Sequence, residues 1–98
     1  KAIETYTLAV GLNPNDYALY NNRGAAYHAS GEFQKAIADY TRAGELNPYH
    51  FSSFNNRAAA YEDLGNIEQA VADYRRALEL DPDNKLAKDN LKRILKEK

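Results

Sequence analysis

Apolar and small side chains recur along this chain at helical spacing. Tyr20, Gly24 and Tyr27 stand at i, i+4 and i+7, as do Phe54, Ala58 and Tyr61. A second stripe, Ala36, Tyr40 and Ala43, is echoed by Ala70, Tyr74 and Ala77. Between the two kinds of stripe lie Ser30-Gly31 and Leu64-Gly65, and glycine suits a helix C-terminus because it tolerates φ > 0. Asn47-Pro48 and Asp81-Pro82 end the second stripes, since the residue before proline is driven out of the α region. The pattern predicts helices over 1–12, 17–30, 33–46, 51–64, 67–80 and 85–97. Gly24, Ala25, Ala58, Ala59, Ala36 and Ala70 let helix backbones approach closely, and the tyrosines fill the gaps beside them.

The stripes belong to a larger repeat. Pro14, Pro48 and Pro82 are spaced 34 residues apart, and residues 17–50 match 51–84 at sixteen positions. The opening KAIETYTLAVGLNP matches KAIADYTRAGELNP, the second half of the unit, at nine of fourteen positions. The chain therefore reads as half a unit, two whole units and a tail. A fixed period of this length implies a stack of one supersecondary unit, in which neighbours complete each other's core.

This arrangement resembles the tetratricopeptide repeat. The family's bulky, small, aromatic, glycine, alanine, aromatic, alanine and proline positions are filled by Tyr20, Gly24, Tyr27, Gly31, Ala36, Tyr40, Ala43 and Pro48. They are filled again by Phe54, Ala58, Tyr61, Gly65, Ala70, Tyr74, Ala77 and Pro82. Arg23 and Arg57 depart from the pattern, standing where the family often has leucine. Gly44 replaces the larger residues of its equivalents Val10 and Leu78, which should loosen that helix by about 1 kcal/mol. The resemblance implies an all-α, right-handed superhelical solenoid of antiparallel helix pairs. Its parts are residues 1–16 as the second helix of a truncated repeat, 17–50 and 51–84 as repeats, and 85–98 as a capping helix.

The two ends differ. With Lys1 already inside a helix and no initiator methionine, the sequence reads as an excised piece of a longer protein. Ala2, Ile3, Tyr6 and Ala9 are then expected to face a missing helix, and such exposed apolar surface invites self-association through residues 1–12. In 85–98, Leu86, Leu91, Ile94 and Leu95 are expected to pack inward, with Lys85, Lys88, Lys92 and Lys96 outward. A polar outer face is what a terminal repeat requires.

Charge is divided unevenly: residues 1–84 carry seven basic and twelve acidic side chains, residues 85–98 six basic and two acidic. The acidic repeats argue against phosphate tracking, and the basic tail reads as a solvated cap face, so no nucleic-acid partner is expected. No apolar run approaches the roughly 20 residues of a membrane span, and no targeting segment is visible. No membrane partner and a soluble cytoplasmic setting are expected. Absence of cysteine removes a disulfide framework and cysteine-based metal sites; no cofactor is expected.

No catalytic motif is present. His28 and His50 have no nucleophile or carboxylate at a motif spacing, and both read as surface histidines. Asp39 and Asp73 are accounted for by helix-surface pairing with Arg42 and Arg76 at i+3. The informative polar feature is Asn22, Asn56 and Asn90, spaced 34 apart on successive first helices. Asparagine is a mediocre helix former, so its recurrence in mid-helix asks for a reason. A side-chain amide can pair with both the C=O and the N–H of an extended peptide. The resemblance implies that these helices line a concave groove and that the three amides form a backbone-holding ladder. The alternative is that each amide bonds a neighbouring helix and sets unit-to-unit register.

Asn21 and Asn55 are expected to flank the groove, with Ala18, Ala25, Ala59 and Ser52 along its floor and His28, Glu62 and Arg93 biasing partner charge. The family's two-carboxylate clamp for chaperone C-terminal tails needs lysine, asparagine, asparagine, lysine and arginine at positions that here read Asn21, Ala25, Asn56, Leu86 and Asn90. Only Asn56 agrees; starting one unit upstream would put Ser52 and Asn56 where the cations belong. The clamp is absent. Three amide rungs at about 0.5–1.5 kcal/mol each fall short of the roughly 8 kcal/mol of micromolar binding, so weak binding is expected. The reading is a non-catalytic protein-interaction scaffold for an extended peptide or partner helix. The alternatives are structural self-association through the N-terminal edge and a substrate-positioning array of a larger enzyme.

Overall fold

A computed structural model describes residues 2–96, and within them the chain forms six α-helices. These are α1 (Ala2–Leu12), α2 (Tyr17–Ala29), α3 (Phe33–Leu46), α4 (Phe51–Leu64), α5 (Ile67–Leu80) and α6 (Lys85–Lys96). Lys1 and residues 97–98, part of the expected first helix and cap, lie outside the described residues. Local chemistry sets the bounds. The Asp16 carboxylate accepts from the Ala18 N–H at 3.0 Å, satisfying an orphan donor at the start of α2. Gly31 and Gly65 both adopt φ +85°, turning the chain into α3 and α5. Asn47 and Asp81 sit at φ −140° and −143°, the extended conformation that the following prolines demand.

Consecutive helices pack on one another, and α2 also reaches α4. The molecule is an elongated slab of 42 × 26 × 17 Å, and its buried side chains fall into two clusters. One gathers Tyr74, Ala58, Ala77, Leu91 and Ile94; the other Tyr40, Ala36 and Ala60. Close approach of α2 and α3 depends on Gly24: a Cβ there would lie 2.8 Å from Cε1 of Tyr40. At Gly44 a Cβ would meet the Phe54 ring at an ordinary 3.5 Å, so that glycine leaves space unused.

The arginines that break the family pattern are structural. Arg23 on α2 forks onto Asp39 of α3, both bonds at 2.8 Å, and its Nη1 reaches Thr7 of α1 at 3.4 Å. Arg57 repeats this with Asp73 at 2.7 and 2.8 Å and Thr41 at 2.9 Å. Each guanidinium thus ties its helix to both neighbours and lies near two aromatic rings of its own helix. The hydrogen bonds to Asp39 and Asp73 raise both arginine pKa values above their ordinary range. The expected pairing of Asp39 and Asp73 with Arg42 and Arg76 is therefore corrected. Those arginines sit on the solvent side and pair with Glu45 and Glu79, whereas the aspartates are buried and face the first helix of their own unit.

The cap also differs from expectation. Ala87, Leu91 and Ile94, at i, i+4 and i+7, make the buried stripe of α6. Leu86 lies about 100° off that stripe and Leu95 at its edge, about 80° from Ala87 and about 40° from Leu91, and both are exposed. At the other end, Ala2 is exposed and Tyr6 and Ala9 are half-buried, whereas their equivalents in α3 and α5 are fully covered. Leu8 and Leu12 are also exposed.

Candidate functional site

Three first helices, α2, α4 and α6, form a row joined by side-chain bonds. His28 Nε2 lies 2.6 Å from Asp63 Oδ2, joining α2 to α4. Asn56 Nδ2 donates to Asn21 Oδ1 at 3.2 Å across the same junction. Arg93 of α6 meets Glu62 of α4 at 2.8 Å, and Glu62 also accepts the Tyr74 hydroxyl at 2.9 Å. Burial first, and then this bond to Glu62, push the Tyr74 pKa well above its ordinary value; Tyr40, buried without such a bond, is pushed up to about 12.

On the open side of the row, Asn22 and Ala25 of α2 are exposed, and Ser52, Asn56 and Ala59 of α4 are half-buried. On α6, Leu86 and Arg93 are exposed and Asn90 is half-buried. The side chain of Asn56 is shared, with one N–H tying α4 to α2, the register role that the sequence left open. Asn90 Oδ1 accepts from Arg93 at 3.2 Å. His28 is half-buried and packs edge-on against Phe33. Glu62 and Arg93 neutralise each other.

The flanking pair departs from expectation. Asn55 is only 5% exposed and donates to Asn84 Oδ1 at 3.3 Å, so it faces the junction with α6 and not the open side. Asn21 is half-buried and accepts from Ser53 at 3.5 Å as well as from Asn56. Asn84 Oδ1 also receives the Ala87 N–H at 2.9 Å, which fixes the orientation of both amides. Asn55 Oδ1 is left buried without a donor: Ala87 stands where Ser53 stands one unit earlier, and Asn90, the counterpart of Asn56, does not donate to it and instead bonds Arg93.

His50, which starts α4, packs against the Tyr17 ring and shares a 2.7 Å hydrogen bond with Ser53; burial lowers its pKa. Shallow clefts of about 340 and 520 Å³, beside residues 31–35 and 12–17, lie at turns and not along the row. Among the described residues no cluster of three or more His, Cys, Asp or Glu is placed to hold a metal ion. No described helix is long and apolar enough to cross a membrane.

What sequence reasoning missed was the carboxylate partner of His28, 35 residues away. Its signal was the acidic pair Glu62-Asp63 on the next first helix, one period beyond His28 and Ala29.

The geometry matches proteins of one family. Residues 17–50 and 51–84 each match the family described as "Tetratricopeptide repeat". Among solved structures, the first TPR of Spaghetti (RPAP3) bound to the HSP90 peptide SRMEEVD is 34% identical, with a TM-score of 0.93 over 97% of this chain and 75% of that one. The Arabidopsis OM64 TPR domain is 38% identical, with a TM-score of 0.93 over 97% of this chain and 78% of that one. The second TPR domain of human RPAP3, in complex with the HSP70 peptide SGPTIEEVD, is 32% identical, with a TM-score of 0.89 over 94% and 77%. Two matched repeats, six paired helices and these neighbours establish that the chain belongs to the tetratricopeptide repeat family.

Proposed function

We propose that the chain is a non-catalytic interaction module that holds an extended peptide along the open face of α2, α4 and α6. The observation that carries the reading is the row of Asn22, Asn56 and Asn90, one amide per first helix on the solvent-facing side. Structural neighbours bound to HSP90 and HSP70 peptides support a peptide ligand. Both of those peptides end in Glu-Glu-Val-Asp, and the clamp cations for such tails are missing here, so the partner differs from theirs. Ala25, Ala59 and Ser52 leave the floor open, while Asn21 and Asn55 serve the helix junctions.

The test is a pull-down read by mass spectrometry, comparing the parent with the Asn22→Ala, Asn56→Ala, Asn90→Ala variant, both checked for helicity. Partners lost while the helices persist support the ladder; unchanged partners refute it. Loss of helicity would assign the asparagines to unit register.

A second reading, self-association through α1, draws on the exposed Ala2, Leu8 and Leu12 and on Tyr6 and Ala9, which are only half-buried. It requires a light-scattering mass that rises with concentration and falls when Ile3 and Tyr6 are made polar. A constant monomer mass refutes it.

A further inference from the structure

The open face changes character at α6. In register with Ala18 and Ser52 stands Leu86, whose side chain is 57% exposed. In register with Ala25 and Ala59 stands Arg93, the cation of this face, and its charge is already engaged. Nη2 of Arg93 lies 2.9 Å from Glu62 Oε1, with 2.8 Å to Oε2, and 3.2 Å from Asn90 Oδ1. Glu62 is itself anchored by the Tyr74 hydroxyl, so the pair is held in place. Beside it Asp63 stays exposed next to His28. An incoming carboxylate would therefore meet a guanidinium already neutralised by Glu62 and the exposed carboxylate of Asp63, and like charges brought together oppose binding. The lysines of α6 do not alter this. Lys88 and Lys92 sit two residues beyond Leu86 and Asn90, about 200° round the helix, and Lys96, one turn past the engaged Arg93, is roughly 15 Å along the axis from Leu86. Lys85 is paired with Asp89 at 3.0 Å.

We infer that the α6 end of the groove accepts an uncharged stretch of peptide, seats an aliphatic or aromatic side chain on Leu86, and rejects carboxylates there. The inference rests on the peptide-binding reading above and names the ligand class that reading leaves open. Apolar area on Leu86 is removed from water only when such a side chain covers it.

The experiment is selection from a phage library of random peptides of about nine residues, enough to cross three helices about 10 Å apart at roughly 3.3 Å per residue. Selections use the parent, Leu86→Met, Leu86→Lys and the triple asparagine-to-alanine variant. In the parent, aliphatic or aromatic residues should be enriched about threefold or more at one position, with Asp and Glu depleted beside it. Leu86→Met should keep that preference, and Leu86→Lys should exchange it for Asp and Glu. Acidic enrichment by the parent, or an apolar preference unchanged in Leu86→Lys, overturns the inference. Selected peptides that bind the triple variant equally well, or no selection at all, would instead overturn the groove reading, and the inference with it.

Discussion

Asn21 and Asn55 hold equivalent places at the two unit junctions, but Ser53 of the first is replaced by Ala87 at the second, and that lost hydroxyl sets up a stabilising substitution. At the first, Asn21 Oδ1 receives the Ser53 hydroxyl and the Asn56 amide. At the second, Asn55 Oδ1 is buried and unsatisfied, with Ala87 in place of the serine and Asn90 engaged by Arg93. A buried acceptor left unpaired costs about 1–3 kcal/mol. Ala87→Ser supplies a donor at a site where the equivalent Ser53 fits while 1% exposed. Against this, serine is a poorer helix former than alanine by roughly 0.5 kcal/mol. The net expectation is a gain of about 0.5–2 kcal/mol. Urea unfolding followed by far-ultraviolet circular dichroism should show a raised midpoint at unchanged slope. In an Asn55→Ala background the same change should cost about 0.5 kcal/mol or more, because the propensity difference remains and the buried hydroxyl has lost its acceptor. Equal effects in the two backgrounds, or destabilisation with Asn55 present, would refute the reasoning.

Three further outcomes are expected. Asp73→Asn should cost about 2–4 kcal/mol, below the full value for a buried pair because the Arg57 side chain is 21% exposed; adding Arg57→Leu should restore most of it, and a double variant as unstable as the summed singles would refute the staple. His50 has its pKa lowered by burial from 6.5, so below that pH the unfolded chain takes up the proton first. This component of stability is intact above about pH 6.5 and is lost as pH falls through the folded-state pKa, at no more than about 1.4 kcal/mol per unit. The melting-temperature advantage of the parent over His50→Gln should therefore narrow between about pH 7.5 and about pH 5, and a constant difference would exclude it. Gly65→Ala should cost about 1–2 kcal/mol purely through the backbone, held at φ +85°, since no atom beyond the adjoining residues lies within 4 Å of the added methyl; denaturant unfolding that shows no loss would refute that.

The charged and amide side chains show where sequence reasoning stops. Asp39 had two arginines within reach of its chemistry: Arg42, one turn along the same helix, and Arg23, sixteen residues back. Helix geometry alone favours the nearer one. Only the packing of α2 on α3 buries the carboxylate beside Arg23, where the planar fork meets both oxygens. The same holds for Asn21 and Asn55, adjacent in sequence to groove-facing residues but turned by about 100° into the helix junctions. On α6 Leu91 and Ile94 pack inward as their spacing predicts, but the first inward position is Ala87 and not the larger Leu86. A small residue packs inward where backbones are close, and hydrophobicity alone does not reveal that.

The sequence by itself determined the period, the six helices, their ends and the faces that pack within each unit. These follow from local rules: glycine at φ > 0, the residue before proline, and side chains three or four apart sharing a face. Comparison of the repeats with one another supplied the long-range information, since equal positions occupy equal environments. The tertiary structure decided which polar groups meet, such as His28 with Asp63, Glu62 with Arg93 and Arg57 with Asp73. Those choices depend on the distance and rotation between helices, and hydrogen bonds are made or lost over less than 1 Å, a precision that periodicity does not carry.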